Sequence, residues 1–308
     1  MTIIRIGTRA STLALAQARL VADRLRSEGG EEVKLVEITS RGDRDHSDLT
    51  QIGGSGVFVS ALRDAVLANE VDLAVHSLKD LPTASAPGLV LAAIPEREDP
   101  RDVLVARDGL ALDQLPRGAV VGTGSPRRAA QINALGLGLR VVPVRGNVDT
   151  RLRLVWEHRV DAVILARAGL SRLGRLDEVT ETLDPLLMLP APGQGALAVE
   201  CRQGDTALIE TVTALDDPIT RCEVTAERSL LAALEAGCSA PVGALADVAA
   251  GETGEQLVLR AVVAAIDGSP VVRMSMTGAA TEASELGQKL AQDMLAAGAS
   301  VLVAESVP

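Results

Sequence analysis

The sequence predicts an α/β protein made of two hinged α/β lobes and a small α+β C-terminal domain. Three observations carry that expectation. Short apolar runs alternate with stretches of helical periodicity through the first two thirds of the chain, the pattern of parallel sheets covered by helices. Two proline-rich breaks, at residues 95–100 and 189–195, divide that series. Beyond about Asp217 the texture changes to one long helix and longer strands joined by a hairpin. A length of 308 residues suits two domains, or three small ones. The expected boundaries are 1–95 plus 196–216 for the first lobe, 101–189 for the second and 217–308 for the last domain.

Residues 3–6 read as the first strand, and Ser11 or Thr12 caps the helix that follows. Ala14, Ala18, Val21 and Leu25 recur at helical spacing and give it a buried stripe, ended by Gly29-Gly30. Residues 33–38 are the second strand, followed by a polar loop with Arg41, Asp43 and Arg44. Residues 53–56, Gly-Gly-Ser-Gly, read as a flexible loop before a helix marked by Phe58, Ala61, Leu62 and Ala65. A buried strand is expected at 72–75 and another at 89–94. In the second lobe, strands are expected at 103–106, 119–122, 140–144 and 162–165, with helices at 126–135, 148–156 and 168–173. Residues 196–200 give one more strand. In the last domain a helix spans 221–236, with Gly237 as its left-handed stop. Strands follow at 242–248, 257–266 and 271–276, with Asp267-Gly268 turning the last two into a hairpin. Leu286, Leu290 and Met294 mark a final helix stopped by Gly298.

Composition narrows the function. Hydrophobic residues make up 47% of the chain, yet there is one Trp, one Phe and no Tyr, so the cores are built from Ala, Val, Leu and Ile. That argues against nucleic-acid platforms, which stack bases on aromatic faces. The net charge of −11 argues the same way. Cys201, Cys222 and Cys238 are odd in number and far apart, which suggests neither a disulfide framework nor a zinc site. None of His46, His76 and His158 is spaced for a metal. With no signal peptide and no apolar run long enough to span a bilayer, a soluble cytoplasmic protein is expected.

Polar groups cluster where strands end. His76, Ser77, Lys79 and Asp80 follow strand 72–75 at once, and Pro82 stops regular structure. Ligands of open α/β sheets sit outside the carboxyl ends of strands, so this stretch offers a ligand a carboxylate, an ammonium and a hydroxyl. Residues 122–128, Gly-Thr-Gly-Ser-Pro-Arg-Arg, lie between a strand and a helix. Arg127 occupies the third-glycine place of a dinucleotide fingerprint, which disfavours that reading. Instead Ser125 caps the helix and Pro126 opens it. Arg127 and Arg128 then fall in the first turn, where the helix dipole disfavours each cation by about 0.3–1 kcal/mol. That placement makes sense around a bound anion; the plain alternative is that both point to solvent. Arg9, Arg145, Arg151 and Arg172 also lie just past strand ends. Together they suggest a cationic cleft between lobes of an acidic body, and arginine's planar fork suits carboxylates.

Six motifs occur in order: residues 5–17, 76–82, 122–128, 145–151, 192–196 and 237–241. Across nearly the whole chain they resemble porphobilinogen deaminase, also called hydroxymethylbilane synthase. Ser55 stands in a glycine-rich loop where many members have lysine, and Pro126 stands where leucine is frequent. The resemblance implies two periplasmic-binding-protein-like lobes plus a third domain, and a role in tetrapyrrole and haem biosynthesis. It implies condensation of four porphobilinogen molecules, with ammonia released each time, on a dipyrromethane cofactor held by a cysteine thioether. The matching cysteine is Cys238. That cysteine falls in a loop after a helix stop, whereas Cys201 ends an apolar strand and Cys222 lies in a helix.

Each pyrrole carries an acetate and a propionate, so the growing chain is a polyanion that needs arginines. Ammonia loss leaves a cationic azafulvene, which a neighbouring ring attacks before losing a proton. A carboxylate against the pyrrole N–H groups stabilises these cationic stages and moves protons, and Asp80 is the candidate. Carried over by motif, Lys79, Ser77, Arg127, Arg128, Ser125 and Gly195 bind the cofactor with Cys238. Arg9, Ser11, Arg145, Arg151 and Arg172 bind substrate. The expected partner is porphobilinogen alone, with no nucleic acid, membrane or metal, and the expected state is a monomer. A solute-binding protein for a carboxylate or phosphate is the rival reading; it leaves the third domain and the loop cysteine unexplained.

Overall fold

The computed structural model describes residues 3–38, 54–237, 240–251 and 254–304. The chain forms two compact units, one of residues 1–98 with 196–221 and one of residues 99–195 with 222–308.

The first unit holds a five-stranded sheet in the order β2-β1-β3-β10-β4. Its strands are β1 (Ile4–Thr8), β2 (Val33–Glu37), β3 (Leu73–Ser77), β4 (Leu89–Ala93) and β10 (Leu197–Arg202). β1 runs parallel to both β2 and β3, while β10 is antiparallel to β3 and β4. Helix α1 (Thr12–Gly29) starts where Ser11 Oγ accepts the Ala14 amide and ends at Gly30, whose φ is 66°. Its stripe of Ala18, Val21, Ala22 and Leu25 packs on Ile6, Leu73, Val75 and Val199. Helix α2 (Gly54–Leu67) begins inside the stretch expected to be a flexible loop, so Gly54, Ser55 and Gly56 are helical. Glycine costs a helix about 1 kcal/mol relative to alanine; burial of Leu62, Ala65 and Val66 against Val71 and Ala74 opposes that penalty. Arg41, Asp43, Arg44 and Gly53 lie outside the described residues. A helix the periodicity did not announce, α6 (Thr206–Thr213), follows β10.

The second unit has a sheet of matching layout, β7-β6-β8-β5-β9. Its strands are β5 (Asp102–Ala106), β6 (Val120–Gly122), β7 (Arg140–Val142), β8 (Ala162–Ala166) and the short, unanticipated β9 (Glu181–Thr182). β6 is parallel to β7 and β8, and β5 runs antiparallel to β8 and β9. Both sheets are therefore mixed, whereas strand–helix alternation pointed to parallel ones. Helices α3 (Pro126–Ala134), α4 (Val148–Trp156) and α5 (Arg167–Arg172) each follow a parallel strand. The break at 189–195 is not a solvated linker: Leu189 and Gln194 are each 1% exposed.

Helix α7 (Pro218–Ala233) carries the chain from one unit into the other. It starts three residues before the expected point, with Asp217 Oδ1 accepting the Thr220 amide. The left-handed residue after it is Glu235, at φ 52°, rather than Gly237. The antiparallel sheet β11 (Val242–Gly251), β12 (Gly254–Ala264) and β13 (Val271–Ala279) packs its alternate residues on α7, α8 (Ala283–Ala296) and α9 (Ala299–Ala304). Leu230, Leu257, Leu259, Leu286, Leu290 and Met294 make up much of that core. Among the described residues no helix is long and apolar enough to cross a membrane.

Candidate active site

In the first unit, β1 and β3 pair in parallel, so their carboxyl ends share one edge of the sheet. Arg9 and Ser11 leave the end of β1; Ser77 ends β3, and Lys79 and Asp80 sit in the 3-10 turn Leu78–Asp80. Gln17, buried on α1, donates from Nε2 to Ser77 Oγ at 2.9 Å and ties the two ends together. The Leu78 amide donates to Ala196 O at 3.0 Å, which fixes the turn to the start of β10. Arg9, Ser77 and Lys79 are half-buried, and Asp80 is exposed. Ser11 Oγ accepts the Ala14 amide at the start of α1, which leaves its own proton to donate.

Between β3, β10 and α2 lies a network the sequence did not suggest. Glu200 on β10 accepts two bonds from Arg63 of α2, at 2.9 and 2.8 Å. His76 Nε2 lies 3.3 Å from Glu200 Oε2, close enough for an ion pair but not aligned as a hydrogen bond. Burial alone would raise the Glu200 carboxyl; His76 and Arg63 outweigh it and hold it at about 2.

In the second unit, β6, β7 and β8 likewise end on one edge. Past β6, Ser125 Oγ accepts the Arg128 amide and starts α3. Gly124 is needed there, because a Cβ would stand 2.6 Å from Val144 O. Past β7, Arg145 is exposed, and Asn147 caps α4, which carries Arg151 half-buried. Arg172 in the last turn of α5 donates from Nη2 to Gly195 O at 2.6 Å, and Gly195 is buried with φ 90°.

Arg127 and Arg128 do not point to solvent; they are 3% and 5% exposed. Both converge on Asp102, the first residue of β5, which is wholly buried. Arg127 Nη1 donates to Asp102 Oδ2 at 2.7 Å and also to Leu189 O. Arg128 donates to Asp102 Oδ1 from Nε and Nη2, at 3.1 and 2.8 Å, and to Ile164 O from Nη1 at 2.9 Å. Burial would raise the Asp102 carboxyl, but the two guanidiniums hold it well below the usual carboxylate range. Burial lowers the Arg127 and Arg151 guanidiniums, and the Arg128 charge lowers both further; Asp102 opposes this at Arg127. Nε of Arg127 and Nε of Arg151 are buried without a hydrogen-bond partner among the described residues. Here are three cations, one carboxylate and unused donors. The set fits a ligand that brings further carboxylates.

Cys238 lies outside the described residues. Of the other cysteines, Cys201 is buried in β10, and burial pushes its thiol up to about 11. Cys222 is half-buried in α7 and donates from Sγ to Ala280 O at 3.1 Å. Neither presents a ready thiolate.

Two family models match the chain: porphobilinogen deaminase, dipyromethane cofactor binding domain, over residues 4–210, and porphobilinogen deaminase, C-terminal domain, over residues 221–296. The chain is 60% identical to porphobilinogen deaminase 1 of Streptomyces coelicolor over 311 residues, covering 98% of each. It is 57% identical to porphobilinogen deaminase of Mycobacterium tuberculosis over 305 residues, covering 97% of this chain and 98% of that one. Among solved structures, a periplasmic substrate-binding protein of an ABC transporter from Coxiella burnetii aligns with 70% of this chain and 93% of its own. Its TM-score is 0.44 and its identity 16%.

Proposed function

The chain belongs to the porphobilinogen deaminase family, and on that premise we propose how its residues divide the work. The reaction condenses four porphobilinogen molecules head to tail, releases ammonia at each, and yields hydroxymethylbilane from a dipyrromethane primer. The primer, when bound, supplies the free pyrrole carbon to which the first substrate ring is joined.

The observation that carries the assignment is the surplus of buried positive charge around Asp102. Arg127 and Arg128, with Ser125 and Gly195, hold carboxylates of the primer, and Cys238 anchors it by a thioether. Arg145, Arg151 and Arg172 take carboxylates of incoming or added rings. In the first unit Lys79 and Ser77 serve the primer, Arg9 and Ser11 the substrate. The Ser77 oxygen already accepts from Gln17, so its own proton is the one it offers a carboxylate. Asp80 is the catalytic carboxylate. It is exposed at a strand end, where its charge stabilises a cationic substrate ring and its oxygens accept the proton that ring must lose.

The last domain, residues 217–308, forms a platform for the primer; its separate sheet and core support treating it as a domain. We place the protein in the cytoplasm as a monomer that works on porphobilinogen and not on nucleic acid. Its acidic charge and its scarcity of aromatics, one Trp and one Phe, support the last point. Intact-protein mass spectrometry tests the anchor. The purified chain should carry the mass of two pyrrole units, mapped by digestion to Cys238, and Cys238→Ser should lose both adduct and turnover. An adduct on Cys201 or Cys222, or bilane made by an unmodified chain, rejects it.

A further inference from the structure

We propose that Asp102 is a positioning residue for the anionic primer: it holds Arg127 and Arg128 as one oriented pair and sets the charge they present. The inference rests on the reading that these two arginines bind primer carboxylates.

The argument starts from strand direction. β5 runs antiparallel to β8, with Asp102 opposite Ala166. The first residue of β5 is thereby delivered to the edge where β6 and β8 end and α3 begins. A carboxylate at that place meets both guanidiniums of the first turn of α3. Two guanidiniums buried side by side repel each other and are costly to desolvate. One shared carboxylate offsets this in part and leaves the group with a net positive charge. A carboxylate from the primer then completes the neutralisation. Without Asp102 the pair has no shared anchor. With it, Arg127 is fixed between Asp102 and Leu189 O, and Arg128 between Asp102 and Ile164 O.

Both oxygens of the buried Asp102 are engaged inside the protein. Oδ2 accepts from Arg127, and Oδ1 accepts twice from Arg128 and once from Gln194 Nε2 at 2.8 Å. Gln194 is held in turn through Pro100 O at 2.7 Å, and the neighbouring Gly193 amide donates to the buried Glu227 at 2.6 Å. So Asp102 acts through the arginines, on how they are aimed and charged.

The test compares Asp102→Asn and Asp102→Glu with the wild-type holoenzyme. Two quantities are read: the fraction of soluble chain carrying the two-pyrrole mass, and KM separately from kcat. A purely structural role lowers only the yield and the melting temperature. Positioning predicts that soluble Asp102→Asn is under-loaded. In its loaded fraction KM rises about tenfold, or about 1.4 kcal/mol, with a smaller change in kcat. Full loading with unchanged KM overturns the proposal. If Asp102→Asn gives no soluble protein, Asp102→Glu decides, because it keeps the charge and moves it by one methylene. It should load with a raised KM; a wild-type KM there overturns the proposal. Failure of the underlying reading is separately visible, since wild type would then carry no adduct at Cys238.

Discussion

Glu200 makes the stability of the first unit depend on acid in a way that one substitution removes. The carboxylate on β10 pairs with Arg63 through both oxygens and stands beside His76. Its folded value of about 2 lies below the unfolded carboxyl value near 4.3. The folded-state value is depressed, so the stabilisation is complete above the unfolded value and is lost as pH falls from about 5 toward 2. The difference of about two units corresponds to about 3 kcal/mol. Glu200→Gln keeps the shape and one acceptor but removes the charge, leaving Arg63 unpaired. Breaking a buried pair from one side costs about 3–5 kcal/mol, and the retained acceptor puts this case near the lower end. Wild type and Glu200→Gln should therefore differ by about 3 kcal/mol at pH 7 in urea unfolding followed by far-UV circular dichroism. The gap should close on acidification to about pH 2, with faster hydrogen exchange in Leu73–Ser77 of wild type as it closes. A gap that stays constant from pH 7 to pH 2, or one below about 1 kcal/mol at pH 7, would refute the reasoning.

Asp80→Asn should abolish turnover in fully loaded enzyme while leaving the melting temperature in place, since the side chain is exposed; near-normal turnover rejects Asp80 as the catalytic carboxylate. Gly124→Ala forces a Cβ to within 2.6 Å of Val144 O. Overpacking of this kind costs about 1–3 kcal/mol, so the melting temperature should fall by several degrees, at about 2–4 °C per kcal/mol. An unchanged melt in calorimetry would show that the loop after β6 gives way freely.

The sequence by itself determined most of the elements and placed polar residues at their ends. Ser125 was legible as a cap, and Ser11 as one of two candidates, because capping is decided within three residues; their Oγ atoms accept the Arg128 and Ala14 amides. Helical spacing identified the buried stripe of α1 for the same reason: periodicity is local. Lys79, Asp80, Arg127, Arg128 and Arg151 stood out as candidates because strand ends are where α/β sheets keep their ligands. Only the tertiary structure decided what those residues lean on. Asp102 fell unread between the break at 95–100 and the strand expected at 103–106, since nothing local states that β5 runs antiparallel and brings its first residue to the edge where β6 and β8 end. Arg63 and Glu200 are 137 positions apart, and no pattern along the chain pairs them. The start of α2 was misread because three small residues favour a loop locally, while the packing of Leu62, Ala65 and Val66 favours a helix. Local propensity amounts to a few tenths to one kcal/mol per residue, whereas burial of a side chain contributes about 1.5–3 kcal/mol, so packing decides where the two disagree.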